Sequence, residues 1–248
     1  MNSCVVIPYF NHGGAIAGVL ESVRALGLPC WVVDDGSDDA SKAALSRAIG
    51  ANERVLTLAH NQGKGAAVMA GCDAALAAGY THALQIDADG QHSVNDMPHL
   101  LAAARAQPQA IVIGQPIYDG SAPRARQYGR YATHIWVWIN TLSFDIKDSM
   151  CGLRVYPLEV VTPLWRHQRL GKRMEFDTEV LVRAAWAGVT IVNIPTRVTY
   201  PADGVSHFKM LRDNALISWM HCKLFFGMLA RAPRILSRRV LRRQKSAA

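Results

Sequence analysis

Asp87-Ala88-Asp89-Gly90-Gln91 follows directly on the apolar run Ala83-Leu84-Gln85-Ile86, so two carboxylates one residue apart stand at the end of an expected strand. Asp87 and Asp89 in that setting suit a hard divalent cation, Mg²⁺ or Mn²⁺. Such ions keep several waters and bind through one or two carboxylates plus substrate phosphates. The chemistry is that of a metal carrying a diphosphate, which points first to a metal-assisted transferase. A plain Asp/Gly turn closing a strand is the competing reading of the same five residues.

The elements that must position these acids follow from hydrophobic periodicity. Strand-length apolar runs fall at Cys4–Ile7, Cys30–Val33, Val55–Leu58, Ala83–Ile86 and Ala110–Ile113. Between them, Ala15–Leu26, Ser41–Ile49 and Ala66–Ala78 carry apolar residues at helical spacing, and Asn95–Arg105 is a weaker helix with Pro98 in its first turn. The alternation predicts a doubly wound α/β sheet, whose ligands bind beyond the carboxyl ends of the strands. Polar residues gather at those ends: Asn11 after the first, Asp34-Asp35-Gly36-Ser37 after the second, Asn61-Gln62-Gly63-Lys64-Gly65 after the third, and Asp87-Ala88-Asp89 after the fourth.

The second half is less regular. Ser121–Arg130 reads as a Gly/Pro/Arg-rich loop, a candidate lid or acceptor loop. Asp148–Arg154 leads into a short strand at Arg154–Tyr156, Glu175–Trp186 is helical, and Thr190–Ile194 is a further strand. Within 248 residues no internal repeat marks a second globular domain. A catalytic domain over 1–210 is expected, followed by an apolar helix and basic tail over 211–248.

Two common nucleotide-binding motifs fail. Asn11-His12-Gly13-Gly14 lacks the G-x-G-x-x-G of a dinucleotide fold, and Gly63-Lys64-Gly65 lacks the Ser or Thr and the upstream Gly of a P-loop. The glycines at 63 and 65 instead suggest a helix N-terminus whose amides approach an anion.

Taken together, Val6-Ile7-Pro8-Tyr9-Phe10-Asn11, Val32–Ser37, Asn61–Gly65, Asp87–Gln91 and Asp148–Arg154 resemble the inverting family 2 glycosyltransferases of GT-A fold, in particular the dolichyl- or polyprenyl-phosphate mannose and glucose synthase branch. The resemblance runs in order from about Cys4 to His207. It implies an α/β, Rossmann-like, mainly parallel sheet with flanking helices. It also implies a nucleotide-diphosphate-sugar donor set against Pro8, Tyr9, Asn11 and Asp35, with Lys64 near the nucleotide and Asp87, Asp89 and Gln91 near the metal. The chemistry of these side chains agrees, since Asp35 can accept from a ribose or base, and Lys64 is a compact counter-charge for phosphate.

Inversion onto a hydroxyl needs a base on the face opposite the leaving nucleotide. Asp177, in Glu175-Phe176-Asp177-Thr178-Glu179, is similar to the family's base position, with Phe176 replacing the usual acid. A polyprenyl phosphate, already anionic, needs no proton removed, and Asp177 then only orients acceptor or sugar. A first-turn acid complementing a helix dipole is the structural alternative. Gly204-Val205-Ser206-His207 stands where the branch tends to carry Gly-x-Ser-Lys, so His207 is a departure that completes a metal shell, contacts diphosphate, or is plain polar surface. Arg154 offers a fork for a phosphate, or is an ordinary strand arginine.

Charge and composition bear on location. The net charge of +8 is concentrated late, in Arg231, Arg234, Arg238, Arg239, Arg242, Arg243 and Lys245. No nucleic acid partner is expected. Before that cluster, Ala215–Leu229 reads as a strongly apolar helix broken by His221 and Lys223, too polar and short for a confident span. An apolar helix followed by arginines fits attachment to an anionic membrane surface; a core helix with a solvated tail fits the same residues. Met1-Asn2-Ser3 leads into Cys4–Ile7, an apolar stretch too short and without a preceding basic region, so no signal peptide is expected here. The five scattered cysteines include no C-x-x-C pair, which argues against a disulfide framework or a zinc ribbon. The expectation is a cytoplasmic enzyme, peripheral at the inner face of the plasma membrane, moving sugar to a lipid-linked acceptor. A nucleotidyltransferase and a non-enzymatic nucleotide-binding adaptor are the alternatives.

Overall fold

The computed structural model describes residues 1–118, 124–199 and 207–247. Among the described residues seven strands form one sheet: β1 (Ser3–Tyr9), β2 (Cys30–Asp34), β3 (Glu53–Thr57), β4 (His82–Gln85), β5 (Ile111–Tyr118), β6 (Arg154–Pro157) and β7 (Ile191–Val198). Their spatial order is β3-β2-β1-β4-β6-β5-β7. Every pairing is parallel except those of β6, which runs antiparallel to both β4 and β5.

The central strand β1 shows why the chain needs helices on both sides. Its side chains alternate between two cores: Cys4 and Val6 join one, and Val5, Ile7 and Tyr9 the other. Helices α1 (Ile16–Arg24) and α4 (Met97–Ala106) cover the second core. Helices α3 (Lys64–Ala77), α6 (Leu158–His167) and α7 (Phe176–Ala187) cover the first. The short helix α2 (Asp39–Ala48) is capped by Asp38, whose carboxylate accepts from Ser41 N at 2.7 Å. All seven expected strands are present, each within a few residues of its expected bounds.

Three expectations are corrected. Residues 124–130, read as loop, are the first turns of α5 (Arg124–Thr141). Gly129 does not stop this helix, because the next residue is anchored: the Arg130 guanidinium forks onto Asp148, with Nη2 to Oδ1 at 2.8 Å. Residues 121–123 of the expected loop lie outside the described residues. Second, α6 was not anticipated, since Pro163 interrupts its pattern; burial of Leu158, Val161 and Leu164 holds it in place. Third, the expected break at His221 and Lys223 is absent from α8 (Met210–Ala247), which is continuous. His221 is buried against α5, its Nδ1 3.2 Å from Asn140 Nδ2 and its ring stacked on Trp136 at 6.0 Å. Burial away from charge lowers its pKa to about 4. Met220 and Leu224 of α8 belong to the first core.

Candidate active site at the strand ends

The loop after β2 is built by backbone amides closing on carboxylates. Asp34 accepts from Ser37 N at 2.9 Å, and Asp35 accepts from Gln62 N and Gly63 N, both at 2.7 Å. Asp35 therefore pins the β3–α3 loop against β2. Burial nonetheless raises its pKa, opposed by those two amide bonds. Gly63 adopts φ +108°, a backbone shape that other residues rarely take. Of the amides expected to face a ligand anion at the start of α3, Gln62 and Gly63 give theirs to Asp35, and Ala66 gives its own to Lys172 O at 3.0 Å.

Lys64, the first residue of α3, is the pivot of the site. Its Nζ lies 2.8 Å from Asp87 Oδ1 and 2.7 Å from Asp177 Oδ2, so one ammonium joins a carboxylate at the end of β4 to one in the first turn of α7. The residues paired here stand 113 apart in the chain. Burial works to lower the Lys64 pKa, but Asp177 and Asp87 more than reverse it, and the group is held firmly charged. Burial likewise works to raise Asp87, and Lys64 outweighs it, so the net shift is downward.

Arg154 sits beneath this pair and is 0% exposed. Its Nη1 donates to Asp177 O at 2.7 Å and Tyr156 Oη at 3.1 Å, Nη2 to Ser149 O at 2.7 Å, and Nε to Cys151 O at 2.7 Å. Nη1 also lies 3.6 Å from Asp177 Oδ1. The reading of Arg154 as a grip on a ligand phosphate is corrected, because its fork is spent on the protein's own carbonyls. It sets the 149–151 loop against α7 and fixes Asp177. Phe176, where an acid was the family expectation, is fully buried in the core, with Gly65 of α3 directly against its ring.

A cavity of about 50 Å³ opens beside these groups, lined in part by Asp87, Asp89, Gln91, His92, Arg130 and Gly152. Gly152 has no alternative: a Cβ there would overlap the Asp87 carboxylate. Asp89 accepts from Gln91 N at 3.0 Å, and its pKa is raised by burial and then by the charge of Asp87. A second carboxylate whose ionisation is opposed by burial and by the charge of Asp87, in a small cavity, fits a cation. Among the described residues no three His, Cys, Asp or Glu side chains converge on one point.

Other expected residues are placed differently. Pro8 is buried in β1, in register with Val33. Tyr9 is corrected from a donor contact to a core residue, 1% exposed with its hydroxyl donating to Ser41 O at 2.7 Å. Asn11, at φ +54°, bridges loops: its N donates to Ser37 Oγ and its Oδ1 accepts from Asp38 N. His207 packs its ring 4.8 Å from His12 and 5.2 Å from Phe10, with Nε2 buried and without a hydrogen bond. Among the described residues no ion pair joins it to Asp87 or Asp89. Gly204–Ser206 lie outside the described residues.

Sequence reasoning missed three contributors. His92 lines the cavity, and burial lowers its pKa against the pull of Asp87 and Asp89. Arg130 lines it while bound to Asp148, and His134 Nε2 approaches the same carboxylate at 3.3 Å. An Arg and a His four apart on a helix are the available sequence signal, hidden once that segment is read as loop.

Comparison with known proteins adds the following. Residues 4–162 match the family described as Glycosyl transferase family 2. The chain is 29% identical over 219 residues to a polyprenol monophosphomannose synthase of Mycolicibacterium smegmatis, covering 82% of this chain and 79% of that one. It is 29% identical over 204 residues to an undecaprenyl-phosphate mannosyltransferase of Micrococcus luteus, covering 79% and 82%. Among solved structures, a glucosyl-3-phosphoglycerate synthase from Mycobacterium tuberculosis, in complex with Mn²⁺, uridine diphosphate and phosphoglyceric acid, superimposes with a TM-score of 0.66 at 15% identity, over 92% of this chain and 78% of that one. That likeness bears on the fold, the expected GT-A architecture.

Proposed function

The chain belongs to glycosyl transferase family 2, and on that premise we propose that it moves a sugar, with inversion, from a nucleotide-diphosphate-sugar to a lipid-borne acceptor at the inner face of the plasma membrane. The observation that carries this reading is the Lys64 bridge between Asp87 and Asp177. It sets the carboxylate suited to the donor's metal and the carboxylate suited to the acceptor on opposite sides of one ammonium.

Asp89 and Asp87 are the residues to hold Mg²⁺ or Mn²⁺, with Gln91 and His207 as further candidates. When bound, such an ion neutralises charge on a departing diphosphate. The chain's own residues do the rest. Asp35 shapes the floor of the nucleotide pocket, and Lys64 supplies fixed positive charge where the diphosphate develops its own negative charge. The acceptor oxygen bonds to the anomeric carbon as the bond to diphosphate breaks, and nucleoside diphosphate departs. Asp177, whose Oδ2 holds Lys64 and whose Oδ1 lies near Arg154 without a hydrogen bond, is the carboxylate we assign to take the proton of a hydroxyl acceptor. A second reading, with a polyprenyl phosphate as acceptor, is favoured by the names of the two relatives; Asp177 then orients and no proton moves.

The test is transfer of labelled sugar from UDP-, GDP- and dTDP-sugars with Mn²⁺ into an organic-extractable lipid. Free nucleoside diphosphate is expected with one donor. Pyrophosphate in its place would indicate a nucleotidyltransferase, and no turnover with any donor an adaptor.

A further inference from the structure

No helix among the described residues is long and apolar enough to cross a membrane, yet α8 carries two apolar faces. One, with Met220, Leu224 and Met228, is buried against the domain. The other is not covered: Trp219 is 60% exposed, Phe226 64% and Leu229 52%, with Leu236 and Val240 continuing the row. At 100° per residue these five share one side of the helix, opposite the buried one. Helix α5 packs alongside and presents its own exposed stripe, Ile135, Trp136 and Ile139. The stripes are continuous, because the Trp136 ring meets Phe225 at 6.3 Å and Phe225 meets Phe226 at 5.8 Å.

Charge identifies the occupant. Residues 214–248 hold eight Lys and Arg and no Asp or Glu, so they carry the whole net charge of +8; residues 1–213 hold 19 of each sign. A second copy would bring the same positive charge to the same place. An anionic surface that also accepts aromatic and aliphatic side chains is a lipid headgroup layer.

We infer that α5 and α8 together form a docking face for an anionic lipid bilayer, and that α5 carries this contact to the reaction site. Arg130, lining the site cavity, and Trp136, on the docking face, lie six residues apart on α5, about 9 Å along its axis. Seating the face sets the cavity just above the headgroups, where the head of a lipid-borne acceptor is presented. The inference rests on the lipid-acceptor reading for its purpose and on surface chemistry alone for its test.

The full chain is sedimented with vesicles of phosphatidylcholine, with and without phosphatidylglycerol. Binding is expected to rise about tenfold or more with the anionic lipid, and to fall by a similar factor for Ile135→Glu with Ile139→Glu and, separately, for Trp219→Glu with Phe226→Glu. Melting temperature and binding of UDP or GDP with Mn²⁺ are read on each variant to show that the fold is kept. Wild-type binding by the folded α5 variant would leave α8 alone and overturn the two-helix face. Equal binding to both vesicle types would overturn the choice of anionic lipid. A concentration-dependent dimer that the same substitutions abolish, with no vesicle binding, would make the face a contact between copies. Vesicle binding without any nucleotide binding would sink the proposed reaction and leave the surface standing.

Discussion

Asp35 and Asp177 are both buried carboxylates at the same edge of the sheet, but they are held by different means. Asp35 accepts two backbone amides from a loop that follows the next strand, whereas Asp177 is held by Lys64 and Arg154, two side-chain cations from distant parts of the chain. Amide-held groups shape a pocket and stay put. Cation-held groups can exchange partners when other charges arrive. The amide-held group lies within the N-terminal strand ends, the cradle proposed for the nucleotide, whereas the cation-held group balances charge between the two halves, Lys64 and Asp87 from the first and Asp177 and Arg154 from the second. Such pairing costs desolvation on both sides, so its use here points to function before stability.

The strongest way to break this contrast is Asp177→Asn, which keeps the side chain's shape and removes its charge. With a hydroxyl acceptor, turnover is expected to fall a hundred- to ten-thousand-fold, about 3 to 5 kcal/mol of barrier, at unchanged donor affinity. With an ionised phosphate acceptor the loss is expected to stay below about tenfold, since no proton has to leave. Steady-state kinetics with the native acceptor decides between these. A rise in the donor's KM with kcat intact would reassign Asp177 to the cradle.

Arg154→Met comes next, and it sharpens the comparison through stability. It strips a fully buried cation from Ser149 O, Cys151 O and Asp177 O and leaves the Asp177 carboxylate with Lys64 alone. Breaking a buried network of this kind costs about 3 to 5 kcal/mol, to be read by denaturant melts. A loss below about 1 kcal/mol would mean the loop and α7 hold their geometry without it.

The same difference decides what the sequence could tell. The parallel strands, the crossover helices and the polar strand ends were legible because each depends on neighbours within one βαβ unit, and period-2 and period-3.6 patterns report that directly. Lys64 and Asp87 were legible as residue types at strand ends. The Lys64–Asp177 pair was not, because it joins positions 113 apart through packing that no local pattern encodes. Arg154 misled for a related reason: an arginine on a short strand looks like a surface group or a ligand grip, and only the antiparallel insertion of β6 between β4 and β5 shows it to be buried. The motif around Tyr9 points to a ligand contact, whereas its alternation along β1 with Val5 and Ile7 puts it on the core face.

The smallest effect is the most diagnostic, because here the two kinds of carboxylate have opposite signs. Burial works to raise the pKa of Asp148, but His134 and Arg130 hold it far below its ordinary value of 3.8. A carboxylate with a depressed folded pKa contributes stability that is present above its unfolded value and is lost as pH falls toward the folded one. Asp35 is shifted upward from 3.8, so the folded chain keeps its proton where the unfolded chain has released it, and its contribution declines as pH rises through that interval. Unfolding free energies taken by urea from pH 5 to pH 2.5 separate them. Asp148→Asn is expected to cost about 1 to 3 kcal/mol at neutral pH and to flatten the acid loss of stability, by up to about 1.4 kcal/mol per pH unit. Asp35→Asn is expected to steepen that loss slightly, since a group that took up a proton on folding is gone. Parallel slopes for wild type and both variants would show that the two halves hold their carboxylates alike.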